Sequence, residues 1–359
     1  MPSALFQPLA LRGVELPNRV VVSPMCQYSA TDGSASDWHL MHLGQYLVSG
    51  IGLVIMEMTN VEARGRISPY CVGLWSDENE QALARVVEFG RRWGNSPLAV
   101  QIGHAGRKAS TLPPWQGRKS LGPSDPLGWE IVAPSALPAE PTSQVPREMT
   151  RDDIRAMVDA FAQSTRRAAR AGFDVVELHG AHGYLLHQFL SPISNRRTDE
   201  YGGSLENRMR FTLEVFDAAR AEFPADRPLG IRVSASDWVE GGWTPDETVE
   251  LARVLAARGC DFIDVSSGGL SPDQKMTVGP GYQVPLAAKV RAATGMVTMA
   301  VGMITEARQA EAIVAEGKAD LVALARGMLW NPHWAWHAAT ALGVPDAALM
   351  PNQYGRGRP

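Results

Sequence analysis

Short apolar runs alternate with longer stretches of helical periodicity along most of the chain. Val20–Ser23, Leu53–Glu57, Leu98–Gly103, Val175–Leu178, Leu229–Val233, Phe262–Ser266, Val297–Ala300 and Leu321–Ala325 are rich in β-branched and apolar residues, as buried parallel strands are. Each is followed by sequence patterned for a helix. The clearest case places Ile154, Met157, Val158, Phe161, Thr165 and Ala168 on one stripe, with Thr150 as N-cap and Gly172 as the stop. Eight such units predict an α/β fold of the (β/α)8 TIM-barrel type. An open doubly wound sheet is the alternative. Its Gly-x-Gly-x-x-Gly fingerprint is missing after the first strand, where the chain reads Ser23-Pro24-Met25-Cys26.

One connection breaks the rhythm. Residues 110–149 are rich in Pro, Gly and Ser and carry Trp115 and Trp129. A connection this long is functional or disordered, and two tryptophans favour a folded, lid-like insertion. Because it follows the third strand, it rises on the face where barrel active sites form. With no linker or repeat beyond the β/α unit, residues 1–359 are expected to form a single domain, with 343–359 as a C-terminal tail.

Composition narrows the class without naming a function. A formal net charge of −4 offers no electrostatic reason to expect nucleic acid or an anionic membrane as partner. The apolar stretch Ile51–Met58 is too short to span a bilayer, and the amino terminus shows no secretory pattern. Cys26, Cys71 and Cys260 are scattered, against a disulfide framework, a zinc site or an iron–sulfur cluster and for a cytoplasmic location.

Polar residues at the carboxyl ends of barrel strands read as functional. Arg232 interrupts the apolar run Leu229–Val233. A buried guanidinium needs an anion, either an internal carboxylate such as Glu57 or Glu177, or a ligand that develops negative charge. Gly302 after the seventh strand and Ala325-Arg326-Gly327 after the eighth stand where barrels bind phosphate, although glycine there also serves plain turns. His179-Gly180-Ala181-His182-Gly183-Tyr184 follows the fourth strand. Paired imidazoles suit zinc, but no third ligand of the right kind lies on an adjacent strand end. Two donors that polarise a carbonyl, beside a phenol that protonates the neighbouring carbon, are the alternative. His39 and His42 are expected to serve packing and local hydrogen bonds.

These residues, with Leu16-Pro17-Asn18-Arg19, Ser23-Pro24-Met25-Cys26-Gln27-Tyr28, Gln101-Ile102-Gly103-His104-Ala105-Gly106-Arg107-Lys108 and Arg197-Thr198-Asp199-Glu200-Tyr201-Gly202-Gly203-Ser204, carry a resemblance over almost the whole chain. The sequence resembles the Old Yellow Enzyme family, in particular its thermophilic-like bacterial branch, which includes the xenobiotic reductases. Cys26 with Tyr28 marks that branch.

The resemblance implies bound FMN, reduced by NADPH or NADH, and ping-pong reduction of the C=C bond of α,β-unsaturated carbonyls, imides or nitroalkenes. Ser23, Pro24, Met25, Cys26, Met58, Gln101 and Arg232 would border the flavin, and Gly302, Ala325 and Arg326 the phosphate. His179 and His182 would bind the substrate carbonyl, Tyr184 would donate a proton, Cys26 would tune the flavin, and Tyr28 and Lys108 would edge the pocket. Met58 stands where the family usually has alanine, and Ala325 where glycine is common. The terminal Gln353-Tyr354-Gly355-Arg356-Gly357 resembles a segment that places an arginine in a neighbouring subunit's pocket, implying a homodimer or homotetramer with Arg356 at the substrate. A solvated basic tail is the other reading. A metal-dependent barrel hydrolase and a non-catalytic flavin carrier are the alternatives from other classes.

Overall fold

A computed structural model describes residues 3–357. Its centre is a closed barrel of eight strands: Val20–Val22, Leu53–Asn60, Leu98–Gly103, Val175–Gly180, Leu229–Ser234, Phe262–Ser266, Val297–Val301 and Leu321–Leu324. Every ladder is parallel, and the last strand closes on the first through the pair Leu324↔Val22. Each expected strand is present, with boundaries shifted by a few residues at most, and the fold is a (β/α)8 barrel.

The period of two along each strand determines what fills the interior. At the amino-terminal end, Val21, Ile55, Ala99, Val175, Phe262, Met299 and Leu321 form one apolar cluster. Leu11 and Leu16, from the hairpin Leu9–Leu11/Val14–Leu16, join that cluster and close the barrel floor. Gly230 is small because a Cβ there would lie 2.4 Å from the Phe262 ring. Two residues further along, the same alternation lifts Gln101, Glu177, Arg232 and Asp264 into a buried polar layer. The mouth lies beyond it.

The second strand departs from this regularity. Ile55 pairs with Ala99 and Met56 with Val100, but the next partner of Gln101 is Met58. Glu57 is therefore the extra residue of a β-bulge. It turns to the first connection, where its carboxylate accepts from the Gln27 N–H at 3.0 Å and lies 3.3 Å from His39 Nε2. Met58 takes the inward position.

Outside the sheet, apolar helix stripes pack on the outward-facing strand residues. The helix Arg151–Ala171 starts at a capping box between Thr150 and Asp153 and stops at Gly172, whose φ of 94° is the left-handed cap. Ile154, Met157, Phe161, Thr165 and Ala168 are buried along it. His39 and His42 sit on the helix Asp37–Leu47, where His39 Nδ1 accepts from the Ser36 N–H and His42 packs edge-on against Tyr46.

Residues 110–149 are ordered against the barrel. Val132–Ala133 pairs with Arg147–Glu148, the Trp129 indole donates to the Arg64 carbonyl at 2.8 Å, and Gln144 Nε2 donates to the Leu121 carbonyl at 2.7 Å. The carboxyl-terminal segment is held by its own chain. Trp336 Nε1 donates to the Leu349 carbonyl, and the Tyr354 ring meets those of His333 and Trp336 edge-on. Among the described residues no helix is long and apolar enough to cross a membrane.

Candidate active site

Two cavities open at the carboxyl end of the barrel. The smaller, about 310 Å³, is lined by Pro24, Cys26, Tyr28, Met58, Gln101, Pro114, Arg118, His179, His182, Tyr184 and Arg232. The larger, about 780 Å³, runs past Gly302, Ala325 and Arg326 to Trp330 and Trp334. Arg232 lines both. One arginine thus joins a compact polar chamber to a long crevice with backbone amides at its wall.

Arg232 corrects one expectation. Its internal partner is neither Glu57 nor, directly, Glu177. Arg232 Nε lies 2.9 Å from Asp264 Oδ2 on the adjacent strand, because the parallel register sets Asp264 beside Arg232. Glu177, one strand to the other side, accepts from Gln101 Nε2 at 2.8 Å. Burial and then Asp264 push the Glu177 carboxyl up from its ordinary range, and burial pushes Asp264 up as well. The Nε edge of Arg232 thus faces this acidic layer, and its side chain still borders the cavities.

The fourth strand delivers the donors. His179 ends it, and a tight turn with His182 at φ 58° and Gly183 at φ 73° brings the two imidazoles together. His179 Nε2 and His182 Nδ1 lie 3.4 Å apart. The Ala181 N–H donates to His179 Nδ1 at 3.3 Å, which leaves the His179 proton on Nε2. His182 Nε2 meets Ser266 Oγ at 2.8 Å. Burial first, then the charge of Arg232, holds both imidazoles well below their usual pKa, so both are neutral at pH 7.

Tyr184 caps the short helix Leu185–Leu190 and packs edge-on against His179, ring centroids 4.9 Å apart. Burial raises its phenol well above the ordinary value, as it does the Cys26 thiol, where Glu57 adds to the effect. Both remain protonated.

The turn is braced from behind. His187 Nδ1 accepts from the Gly183 N–H at 2.9 Å, and His187 Nε2 lies 2.8 Å from Asp237 Oδ1 in a fully buried pair. Lys108 was expected to edge the pocket. Instead its Nζ donates to the carbonyls of His182 and Gly269, each at 2.8 Å, with the Tyr184 ring centroid 5.1 Å away. It supports the histidine turn from outside the small cavity. Burial, and secondarily Arg107, lowers it to about 8.

At the crevice, Gly302 has φ 127°, and a Cβ there would come within 3.0 Å of Gln283 and Tyr282. Only glycine permits that close approach of backbone. Ala325 precedes the short helix Arg326–Trp330. Ser23 is buried and donates its N–H to the Leu324 carbonyl, and Met25 packs on the outer core. Arg356 lies on the exposed turn Asn352–Gly357 and lines neither cavity of its own chain.

Sequence reasoning missed Arg118, Pro114, Asp264, Gln283 and the His187–Asp237 pair as parts of the site. Asp264, a lone acid in an apolar run like Arg232, carried a signal of the same kind. The others sit on loops or helices where spacing gives no direction.

The family model for the NADH:flavin oxidoreductase / NADH oxidase family matches residues 4–343. The chain is 45% identical to an NADPH dehydrogenase of Geobacillus sp. (strain WCH70) over 99% of both chains. It is 44% identical to an NADH:flavin oxidoreductase of Gibberella zeae over 95% of this chain and 86% of the other. Among solved structures, morphinone reductase superposes with a TM-score of 0.79 at 31% identity, over 98% of this chain and 92% of that one. 2-Naphthoyl-CoA reductase superposes with a TM-score of 0.84 at 26% identity, over 96% of this chain but 53% of that one, so the chain spans about half of that protein.

Proposed function

Because the chain belongs to the NADH:flavin oxidoreductase / NADH oxidase family, we propose that it is an ene-reductase, reducing the C=C bond of α,β-unsaturated carbonyls, imides or nitroalkenes. It is an enzyme of the Old Yellow Enzyme type, an FMN-dependent oxidoreductase with NADPH or NADH as reductant. The residues present fit the flavin: Arg232 and Gln101 offer charge and an amide to a ring edge that becomes anionic on reduction. Gly302, Ala325 and Arg326 offer amides and a cation to a phosphate. When bound, FMN would supply hydride transfer between the nicotinamide and the β-carbon of the alkene.

The protein's own part is positioning and proton transfer. The facing nitrogens of His179 and His182 carry the proposal, since a carbonyl oxygen accepted by both would be polarised as negative charge develops on it. For His182 Nδ1 to donate, its Nε2 must accept, which requires the Ser266 hydroxyl to turn its proton from Gln283 Oε1 to His182. Tyr184, protonated and beside His179, donates to the α-carbon. Tyr28 borders the chamber, and Cys26, a neutral thiol, tunes the flavin. The nicotinamide and the alkene would use the same chamber in turn, as a ping-pong cycle requires. A single domain and a homo-oligomer in which Arg356 enters the partner's pocket complete the reading.

Anaerobic stopped-flow tests it. NADPH should bleach the flavin, and an enone should then restore its colour in a second, separable phase. A reduced enzyme that dioxygen reoxidises but no member of an enone, maleimide and nitroalkene panel does would refute the ene-reductase assignment.

A further inference from the structure

The small cavity carries a cation for which the mechanism above has no use. Arg118, in the connection after the third strand, lines the chamber beside Cys26, Tyr28 and Tyr184. It makes no ion pair among the described residues, and no carboxylate lines that cavity. Its charge is close enough to favour the anionic forms of Cys26, Tyr28 and Tyr184.

The backbone is built to put it there. The Leu112 N–H donates to the Lys119 carbonyl at 2.9 Å, and the Gly117 N–H donates to the Pro114 carbonyl at 3.1 Å. Within that turn Gly117 has φ 84° and Arg118 φ 54°. The left-handed region is open to glycine but strained for arginine. Strain of this kind, held at the wall of a cavity, points to a function for the side chain. Trp115, two-thirds exposed, packs edge-on against Tyr28 with centroids 5.7 Å apart and ties the turn to the chamber wall.

We propose that Arg118 is a specificity-determining residue that recognises a carboxylate on the alkene substrate, so that the enzyme prefers activated alkenes bearing a second, anionic group. This rests on the ene-reductase reading. Arg232 belongs to the buried polar layer below the mouth and to the proposed flavin site. Arg118 stands on the loop side, where the part of a substrate remote from its carbonyl extends. A guanidinium suits a carboxylate because its paired N–H groups match the two oxygens. The nicotinamide cofactor offers phosphate as a second anion, and the test separates the two.

An equilibrium titration and the two half-reactions of the flavin-loaded enzyme and its Arg118→Gln variant decide it. Equilibrium titration, followed by the flavin spectrum, compares 4-hydroxybenzoate with its methyl ester. The oxidative half-reaction compares 4-oxopent-2-enoate with its methyl ester. The acid-over-ester preference should fall at least about fivefold in both, more at low ionic strength. Arg118→Lys should recover part of it. Arg118→Gly, which relieves the strained φ, should show the same fall as Arg118→Gln and keeps a folded control in hand. The titration is decisive for Arg118, since it needs no turnover. If wild type binds the phenols but reduces neither alkene, the ene-reductase reading fails while Arg118 is still judged. A smaller fall in the titration ratio overturns the proposal. So does a loss confined to NADPH over NADH in the reductive half-reaction, which would assign Arg118 to the cofactor phosphate.

Discussion

His179 Nε2 and His182 Nδ1 face each other across 3.4 Å at the mouth of the barrel. With protons on both facing nitrogens neither ring donates to the other, and a ligand oxygen entering beside them accepts from both. His179→Ala or His182→Ala should therefore weaken phenolate ligands by roughly 1.5–3 kcal/mol, the range for hydrogen bonds to charged groups. Ser266→Ala should weaken them less, because His182 loses the partner that selects its tautomer but keeps its ring. Equal losses in all three variants would contradict this tautomer control. Spectral titration measures it.

Tyr184→Phe separates the half-reactions. Flavin reduction by NADPH should stay within a few-fold of wild type, while reoxidation by an enone slows by about 10²–10⁴, the usual scale for a positioned acid. A variant that reoxidises at the wild-type rate removes Tyr184 as donor.

Cys26→Ser should shift the flavin midpoint potential while turnover continues. With its thiol held protonated by burial and Glu57, Cys26 should also react slowly with iodoacetamide at pH 7. Rapid alkylation, or an isolable thiol–substrate adduct, would argue for nucleophilic chemistry instead.

Burial, and then the neighbouring His39, lowers His42 from 6.5 to about 4. The unfolded chain takes up its proton near pH 6.5 and the folded chain does not until about pH 4. Stability from this group is therefore present above pH 6.5 and lost as pH falls through that window. His179 and His182 are depressed in the same direction and add to the slope. Thermal melts at pH 7.5 and 5 should show the loss, and His42→Gln should remove about 1–2 kcal/mol of the difference. An unchanged slope would mean that His42 titrates normally.

The tail gives a stoichiometric test. Truncation after Pro351 should weaken substrate binding while FMN is retained. In a mixed dimer, one subunit truncated and the other carrying His179→Ala and His182→Ala, the truncated subunit keeps its histidines and receives Arg356 from its full-length partner. Such dimers should keep near half of wild-type activity, although the truncated homodimer is impaired. Nearly inactive mixed dimers would show that Arg356 acts within its own chain and not between subunits.

The barrel was legible because its strands are short apolar runs, and closure follows from counting eight of them. The helix Arg151–Ala171 was legible to its caps, since Thr150 and Gly172 act locally. The histidine turn and Arg232 stood out as polar residues on apolar strands. The Arg232–Asp264 contact did not, because which acid faces an arginine depends on register, and register is a property of paired strands. The partners of Lys108 were illegible for a similar reason, since its direction is set by carbonyls of His182 and Gly269, distant in sequence. Arg118 was illegible because an irregular loop has no period from which to read direction.

The bulge at Glu57 acts as a sign switch for the electric field in the barrel mouth. Strict alternation from Ile55 would point Glu57 inward, opposite Gln101, and set a third carboxylate above Glu177 and Asp264. A ring that gained negative charge there would then face a third carboxylate beside the Arg232 guanidinium. Deleting Met58 should restore that phase, leaving Glu57 opposite Gln101 and His39 without its carboxylate. A single-residue length change in this strand would thus penalise a reduced flavin more than an oxidised one, whereas a change of side chain at Met58 would leave the phase intact.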